Sequence, residues 1–261
     1  MILTLASQSP RRRELLAPLA ASCGFELRVL PPDPHEEAEA LEQVLPNEDA
    51  HAYVCRVTNL KAKAGWARLL RKGFAPGPLI ASDTTVVLPN GNPGECNKCF
   101  FLDSHTQNDI QDKVANGKIL GKPIDAEDAR RMLRALSNRT HLVMTAVTLL
   151  VPTQPNQLPL PTKPRHSRQR SSPGCDVGEY AAHQALSISE VQFGLLSEAW
   201  IDQVIASGEP MDKAGAYAIQ GQAGAKIKEI KGSPSGIMGL PLFETGELLA
   251  KVATHELPCK A

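Results

Sequence analysis

The sequence predicts an α/β fold. Two long runs of aliphatic and β-branched residues, Leu79 to Leu88 and His141 to Val151, read as buried strands. Between and around them lie segments whose apolar residues recur at helical spacing. Strands alternating with helices are the pattern of a sheet covered by helices. The chain has 261 residues, 42% of them hydrophobic and 21% charged, which is ample for a buried core.

The first element is a short apolar strand, Leu3 to Ala6. Ser9 then stands as N-cap and Pro10 as first residue of a helix that aligns Leu15, Leu16 and Leu19. Residues 25–30 read as a second strand. Residues 31–49 are acidic and contain proline, with Glu36, Glu37, Glu39 and Glu42. A helix over 50–71 follows, with Tyr53, Val57, Leu60 and Ala64 on one face. After the strand Leu79 to Leu88, residues 89–117 read as an insertion. Asp125 caps a helix with Ala129, Met132, Leu133 and Leu136 at i, i+3, i+4 and i+7. After the strand ending at Val151, residues 152–175 hold six prolines and four basic residues, so they cannot bury enough apolar surface to order themselves. Ser197 caps a helix carrying Trp200, Ile201, Val204 and Ile205. A glycine-rich end runs from Gly208 to Gly246.

Charge narrows the partners. The formal net charge is zero, which disfavours binding to a nucleic-acid backbone or an anionic membrane while leaving room for a local basic pocket. The basic residues Lys163 to Arg170 lack the interleaved aromatics of a nucleic-acid site. No apolar run approaches the about 18 residues of a membrane span, and the first residues lack the pattern of a signal peptide. The expected location is the cytoplasm. The six cysteines are scattered, and Cys96 and Cys99 form a lone Cys-x-x-Cys that supplies two of the four ligands of a structural zinc site. An inert loop is expected there.

Four segments are candidates for chemistry. Ser7 to Arg13 places two hydroxyls and three guanidiniums at a helix N-terminus, where unpaired N–H groups suit phosphate. The same pattern fits a capped surface helix. Ser82-Asp83-Thr84-Thr85 sets a carboxylate inside an apolar strand, which is costly unless the group is paired or used. Asp83 there can hold a metal, serve as general base or make a local turn. Gly121-Lys122-Pro123 is a turn without Walker A spacing. The segment from Gly208 to Gly221 gathers small residues, Glu209, Asp212, Lys213 and Gln220, whose amide both donates and accepts.

These segments together resemble the Maf family of nucleotide pyrophosphatases. The resemblance is carried by Ser7-x-Ser9-Pro10-Arg11-Arg12-x-Glu14-Leu15-Leu16, Tyr53-Val54-x-Arg56 with Lys61-Ala62, and Ser82-Asp83-Thr84-x-Val86-Val87. It continues through Gly121-Lys122-Pro123, Met132-Leu133-x-x-Leu136-Ser137-x-x-Thr140-His141, Gly208-Glu209-Pro210 through Gln220-Gly221, and Gly239-Leu240-Pro241-Leu242. It covers the chain except roughly 89–117 and 152–185, which it marks as insertions in one domain spanning 1–261. The resemblance implies a single elongated α/β domain, Maf/ITPase-like, with a central mixed sheet and a cleft between two lobes. It implies hydrolysis of a nucleoside triphosphate to monophosphate and pyrophosphate with a divalent cation, Mg2+ or Mn2+. The family's catalytic aspartate falls on Asp83. Its phosphate positions fall on Ser7, Arg11, Arg12, Lys61, Lys122 and Lys213. In the branch that acts on dTTP and UTP, the specificity positions fall on Arg12, Thr84 and Gln220. A second branch prefers 7-methyl-GTP. Members are also linked to inhibition of septum formation, which leaves a nucleotide-binding regulator as the rival reading, and a homodimer is expected.

Overall fold

A computed structural model of the chain describes residues 1–36, 38–89, 117–153 and 180–253. Seven strands among them form one mixed sheet of order β2-β1-β3-β5-β6-β7, with β4 added beside β3. They are β1 (Ile2–Leu5), β2 (Glu26–Val29), β3 (Leu79–Leu88), β4 (Lys118–Leu120), β5 (Thr140–Pro152), β6 (Tyr180–Phe193) and β7 (Ile227–Lys231). The helices are α1 (Pro10–Ser22), α2 (Ala50–Arg71), α3 (Ala126–Leu136), α4 (Glu198–Ala206), α5 (Pro234–Ile237) and α6 (Leu242–Ala253). β1 runs parallel to β2 and β3, whereas β3, β5, β6 and β7 pair antiparallel in turn.

Strand β3 organises the molecule. Its burial is almost complete along ten residues, which explains the near-continuous apolar run. One edge pairs with β5 from Leu79 to Val87. The other edge is shared: β1 holds it at Leu79 and Ile80, and β4 holds it from Val86 to Leu88. Between Ile80 and Val86 no described strand lies on that edge. A cleft opens there.

Each helix covers the sheet with the face its sequence marks as apolar. Leu16 and Ala20 of α1 pack with Leu3, Leu5, Ile80 and Leu249 of α6. On the opposite side, α2 buries Val54, Val57, Trp66 and Leu69, and it meets Val87, Met144 and Leu79. Leu133 and Leu136 of α3 pack with Ile201 and Val204 of α4, Phe193 and Tyr217, which forms a separate core beyond the cleft. The side chains of Ser9, Asp49, Asp125 and Ser197 each accept a backbone N–H at the start of a helix.

Two regions carry elements that the sequence reading did not assign. Within 152–185, Pro152 ends β5 and Tyr180 begins β6, and the two residues pair. The backbone hydrogen bonds of a thirteen-residue strand need a partner of matching length, and residues 180–185 supply part of it. β6 itself carries Ala, Ser, His and Gln along much of its length and is only partly covered as far as Leu186, so its sequence lacks a strong apolar run. The chain after Gly208 likewise holds β7, α5 and α6, the last anchored by Leu248, Leu249 and Val252. Most of the stretch 89–117, with Cys96 and Cys99, lies outside the described residues, as does most of 152–175. No described helix is long and apolar enough to cross a membrane.

The contact of α2 with β1 depends on a glycine. A Cβ on Gly65 would lie 2.5 Å from the Cβ of Ala6. Overpacking of this kind costs about 1–3 kcal/mol, against at most about 1 kcal/mol gained in helix propensity. Gly65→Ala should therefore lower the unfolding free energy in urea by about 1–2 kcal/mol, and adding Ala6→Gly should restore most of it. A Gly65→Ala protein as stable as the parent would contradict this packing.

Candidate active site

Alternation along β3 sends neighbouring side chains to opposite faces of the sheet. Asp83 faces α2, where its Oδ1 lies 2.5 Å from the Nζ of Lys61. Ser82 and Thr84 face the other way. The Ser82 hydroxyl sits 2.9 Å from the carbonyls of Ala146 and Gly239. Thr84 Oγ1 accepts from Arg12 Nη2 at 3.5 Å and lies 3.0 Å from Thr145 Oγ1. Thr145 also lies 2.7 Å from the carbonyl of Gly236. A carbonyl only accepts, so the single Thr145 proton goes to Gly236 and Thr84 donates to Thr145.

The turn from β1 into α1 brings the first basic group. Ser7 is buried and accepts from Ser9 N–H at 3.1 Å. The Ser9 hydroxyl caps the helix on Arg12 N–H. Arg12 is fixed twice more, with its Nε donating to the Gly239 carbonyl at 2.9 Å. Gly239 has a φ of 109°, a conformation that suits glycine, and this lets its backbone approach the guanidinium. Desolvation pulls the Arg12 pKa below its usual value, against the attraction of Asp83 and Glu42. Arginine stays charged at neutral pH under any such shift.

Glu42 completes the charge pattern. Its carboxylate takes Lys61 at 2.7 Å and Lys122 at 3.0 Å. Burial alone would raise its pKa, but Lys61 and then Lys122 outweigh that, and the group lies below the ordinary carboxylate range. Tyr53 of α2 anchors the same residue by donating from its hydroxyl to the Glu42 carbonyl at 2.9 Å. The Tyr53 phenol is pushed well above its usual value, first by burial and then by Asp83 and Glu42. The segment bearing Glu42 is held at its ends by other ion pairs. Glu36 meets Arg68 and Arg71, and Glu48 meets Arg56.

All nine residues that the sequence singled out line one cleft of about 1060 Å³: Ser7, Arg11, Arg12, Lys61, Asp83, Thr84, Lys122, Lys213 and Gln220. They come from the turn between β1 and α1, α1 itself, α2, β3, the loop after β4 and the segment after α4. Gly215 makes the last connection possible. It has a φ of 68°, its N–H donates to the Gly121 carbonyl at 3.0 Å, and a Cβ there would lie 2.9 Å from Val86. Lys213 donates to Asp212 and to the Glu209 carbonyl. Gln220 stands exposed on the cleft wall. The sequence reading missed Glu42, Tyr53 and Thr145. Glu42 is one of five glutamates in the acidic segment 31–49, and only its fold position separates it from the others.

Among the described residues no group of three or more His, Cys, Asp or Glu side chains is placed to hold a metal. The described residues thus offer no cage built wholly of protein side chains. Mg2+ instead uses one or two carboxylates, waters and substrate phosphates. Asp83 and Glu42, both in contact with one ammonium, are a donor set of that kind.

Comparison with known proteins agrees with the geometry. A family model described as Maf-like protein matches residues 2–252. The dTTP/UTP pyrophosphatase of Albidiferax ferrireducens is 44% identical over 245 residues, which cover 94% of each chain. The dTTP/UTP pyrophosphatase of Ralstonia nicotianae is 43% identical over 96% of this chain and 94% of its own. That of Cupriavidus metallidurans is 43% identical over 97% and 98%.

Behind the cleft, Tyr217 and His141 share a buried hydrogen bond of 2.7 Å. Burial pulls the His141 pKa down to about 3, and its Nδ1 has no hydrogen-bond partner among the described residues. A free imidazole binds its proton near pH 6.5. Between those values the unfolded chain takes up a proton that the folded chain refuses, so stability falls as pH falls. Well below pH 6.5 this residue should contribute a slope of about 1.4 kcal/mol per pH unit. Urea unfolding of the parent and of His141→Gln at several pH values checks it: the variant's curve should be flatter by that amount. Parallel curves would show that His141 becomes charged without cost.

Proposed function

The chain belongs to the family of Maf-like proteins, and on that premise we propose that it is a nucleoside-triphosphate pyrophosphatase acting on dTTP and UTP. The observation that carries the reading is the meeting, in one cleft, of a carboxylate set in an apolar strand with Arg11, Arg12, Lys61, Lys122 and Lys213. A triphosphate needs its negative charge balanced before water can approach it. The free cleft balances its own cations through Asp83 and Glu42. A bound triphosphate supplies new anionic partners for Lys61 and Lys122.

Arg11 and Arg12, in the first turn of α1, bind phosphate oxygens, for which a forked guanidinium beside a helix N-terminus is suited. Asp83 orients a water and accepts its proton as the oxygen bonds to the α-phosphorus. The bond from that phosphorus to the bridging oxygen breaks, and pyrophosphate leaves on the lysines. Asp83 and Glu42, with phosphate oxygens, would hold the divalent cation, Mg2+ or Mn2+. When bound, such a cation neutralises charge that develops on the phosphoryl oxygens. Gln220 reads the base: its amide matches the adjacent carbonyl and N3–H of uracil or thymine, and cytosine presents a different pattern. Arg12 and Thr84, tied to each other at the cleft wall, are the other two specificity positions.

Two measurements test this. Asp83→Asn should fold normally and lose turnover by a factor of about 100 or more. Near-normal release of pyrophosphate from that variant would remove Asp83 from the chemistry. Across a panel of nucleotides, dTTP and UTP should exceed CTP, GTP and 7-methyl-GTP in kcat/KM by about 10-fold or more, worth about 1.4 kcal/mol of transition-state binding. A preference for 7-methyl-GTP would overturn the roles of Arg12, Thr84 and Gln220 while leaving the pyrophosphatase reading in place.

A further inference from the structure

Glu209 does not line the cleft, yet its side chain is built into the wall that carries Gln220. Its Oε2 accepts from Gln222 N–H at 3.3 Å. Its Oε1 is seated so close to Gly221 that a Cβ on that residue would lie 1.6 Å away. Gly221 N–H donates to the Ala218 carbonyl at 3.1 Å and closes a turn in which Gln220 is the third residue. The far side of the turn is equally tight, since a Cβ on Gly224 would lie 2.5 Å from the Ile219 carbonyl. The Gln222 side chain donates to Ser207 at 3.2 Å, and Ser207 donates to the Val204 carbonyl at the end of α4. Gln220 is thus an exposed side chain on a turn whose backbone is gripped at the next two residues.

We infer that Glu209 is a positioning residue for base selection: its carboxylate holds Gly221 and Gln222 and so sets where Gln220 meets the base. The inference rests on the reading of Gln220 as the residue that recognises the base. A hydrogen-bonding residue discriminates only if its donor and acceptor are fixed in place, because a mobile amide can turn to suit cytosine as well as uracil. The exposed Gln220 side chain has no burial to fix it, so the backbone beneath it must do so. Glu209 also touches the phosphate side, but through its carbonyl, which accepts from Lys213. Truncating the Glu209 side chain leaves that carbonyl bond and removes the grip on Gly221 and Gln222. Base selection and phosphate binding are therefore separable at this residue.

The test compares kcat/KM for UTP and CTP in the full-length protein and in Glu209→Ala, Glu209→Gln, Gly221→Ala and Gln220→Ala. Glu209→Ala should bring the UTP:CTP ratio down by about 10-fold, mostly by raising the relative rate on CTP. Gly221→Ala, whose Cβ displaces the carboxylate, should do the same. Glu209→Gln keeps an oxygen that accepts from Gln222 N–H and should hold the ratio within about threefold of the parent. In a Gln220→Ala background, Glu209→Ala should change the ratio no further. Circular dichroism and thermal melting establish that each variant folds, and if Glu209→Ala does not, Gly221→Ala decides the question. An unchanged ratio in folded Glu209→Ala or Gly221→Ala, with both nucleotides slowed equally, would overturn the inference and leave Gln220 untouched. A parent protein without preference for UTP over CTP would instead remove the reading of Gln220, and the role of Glu209 with it.

Discussion

Everything at the candidate site follows from an interruption in the pairing of β3. A central strand needs partners along both edges to satisfy its backbone groups. β3 has β5 on one side from Leu79 to Val87, but on the other it exchanges β1 for β4, and no described strand pairs with it between Ile80 and Val86. That interval contains Asp83 and Thr84. Because the strand is still fixed at both ends, these two side chains stand on a rigid support at the edge of an opening. The pleat then assigns them different neighbours, Lys61 of α2 for Asp83 and Arg12 of α1 for Thr84. One strand thus places a carboxylate beside a lysine on one face and a hydroxyl beside an arginine on the other.

Charge balance explains the rest of the cleft. Lys61 and Asp83 are mostly buried, and a buried ion unpaired from its partner costs several kcal/mol. A cleft lined by several cations therefore needs internal counter-ions. Glu42 provides them for two lysines at once, and Tyr53 fixes its backbone from the same helix that carries Lys61. The segment around Glu42 has no regular structure long enough to hold it, so ion pairs hold it instead: Glu36 with Arg68 and Arg71, and Glu48 with Arg56. This accounts for an acidic, proline-containing stretch beside a cleft lined by lysines and arginines, whose charges it balances.

Legibility in the sequence tracked burial. β3 and α2 are readable to the residue because β3 is apolar almost throughout and α2 buries one full face. The caps at Ser9, Asp125 and Ser197 are readable because an N-cap is a local interaction between residues three apart. β6 is not readable, since its partners and not its own residues decide that it is a strand: thirteen successive residues pair with β5 although many are Ala, Ser, Gln or His. The nine cleft residues were found through motifs, whereas Glu42 and the contact of Glu209 with Gly221 are long-range facts. Nothing in local spacing distinguishes Glu42 from Glu36, or says that Glu209 lies against a glycine twelve positions on.

The register of the sheet places the site. Leu88 and Lys118 are paired neighbours on β3 and β4, and Pro152 and Tyr180 pair on β5 and β6. The sheet therefore holds together the described residues that flank 90–116 and 154–179. Nine successive pairs between Leu79 and Val87 fix β3 against β5, and it is this register which sets Asp83 opposite Ala146 and Thr84 opposite Thr145. A strand pinned over that length by its backbone keeps both side chains at the edge of the cleft.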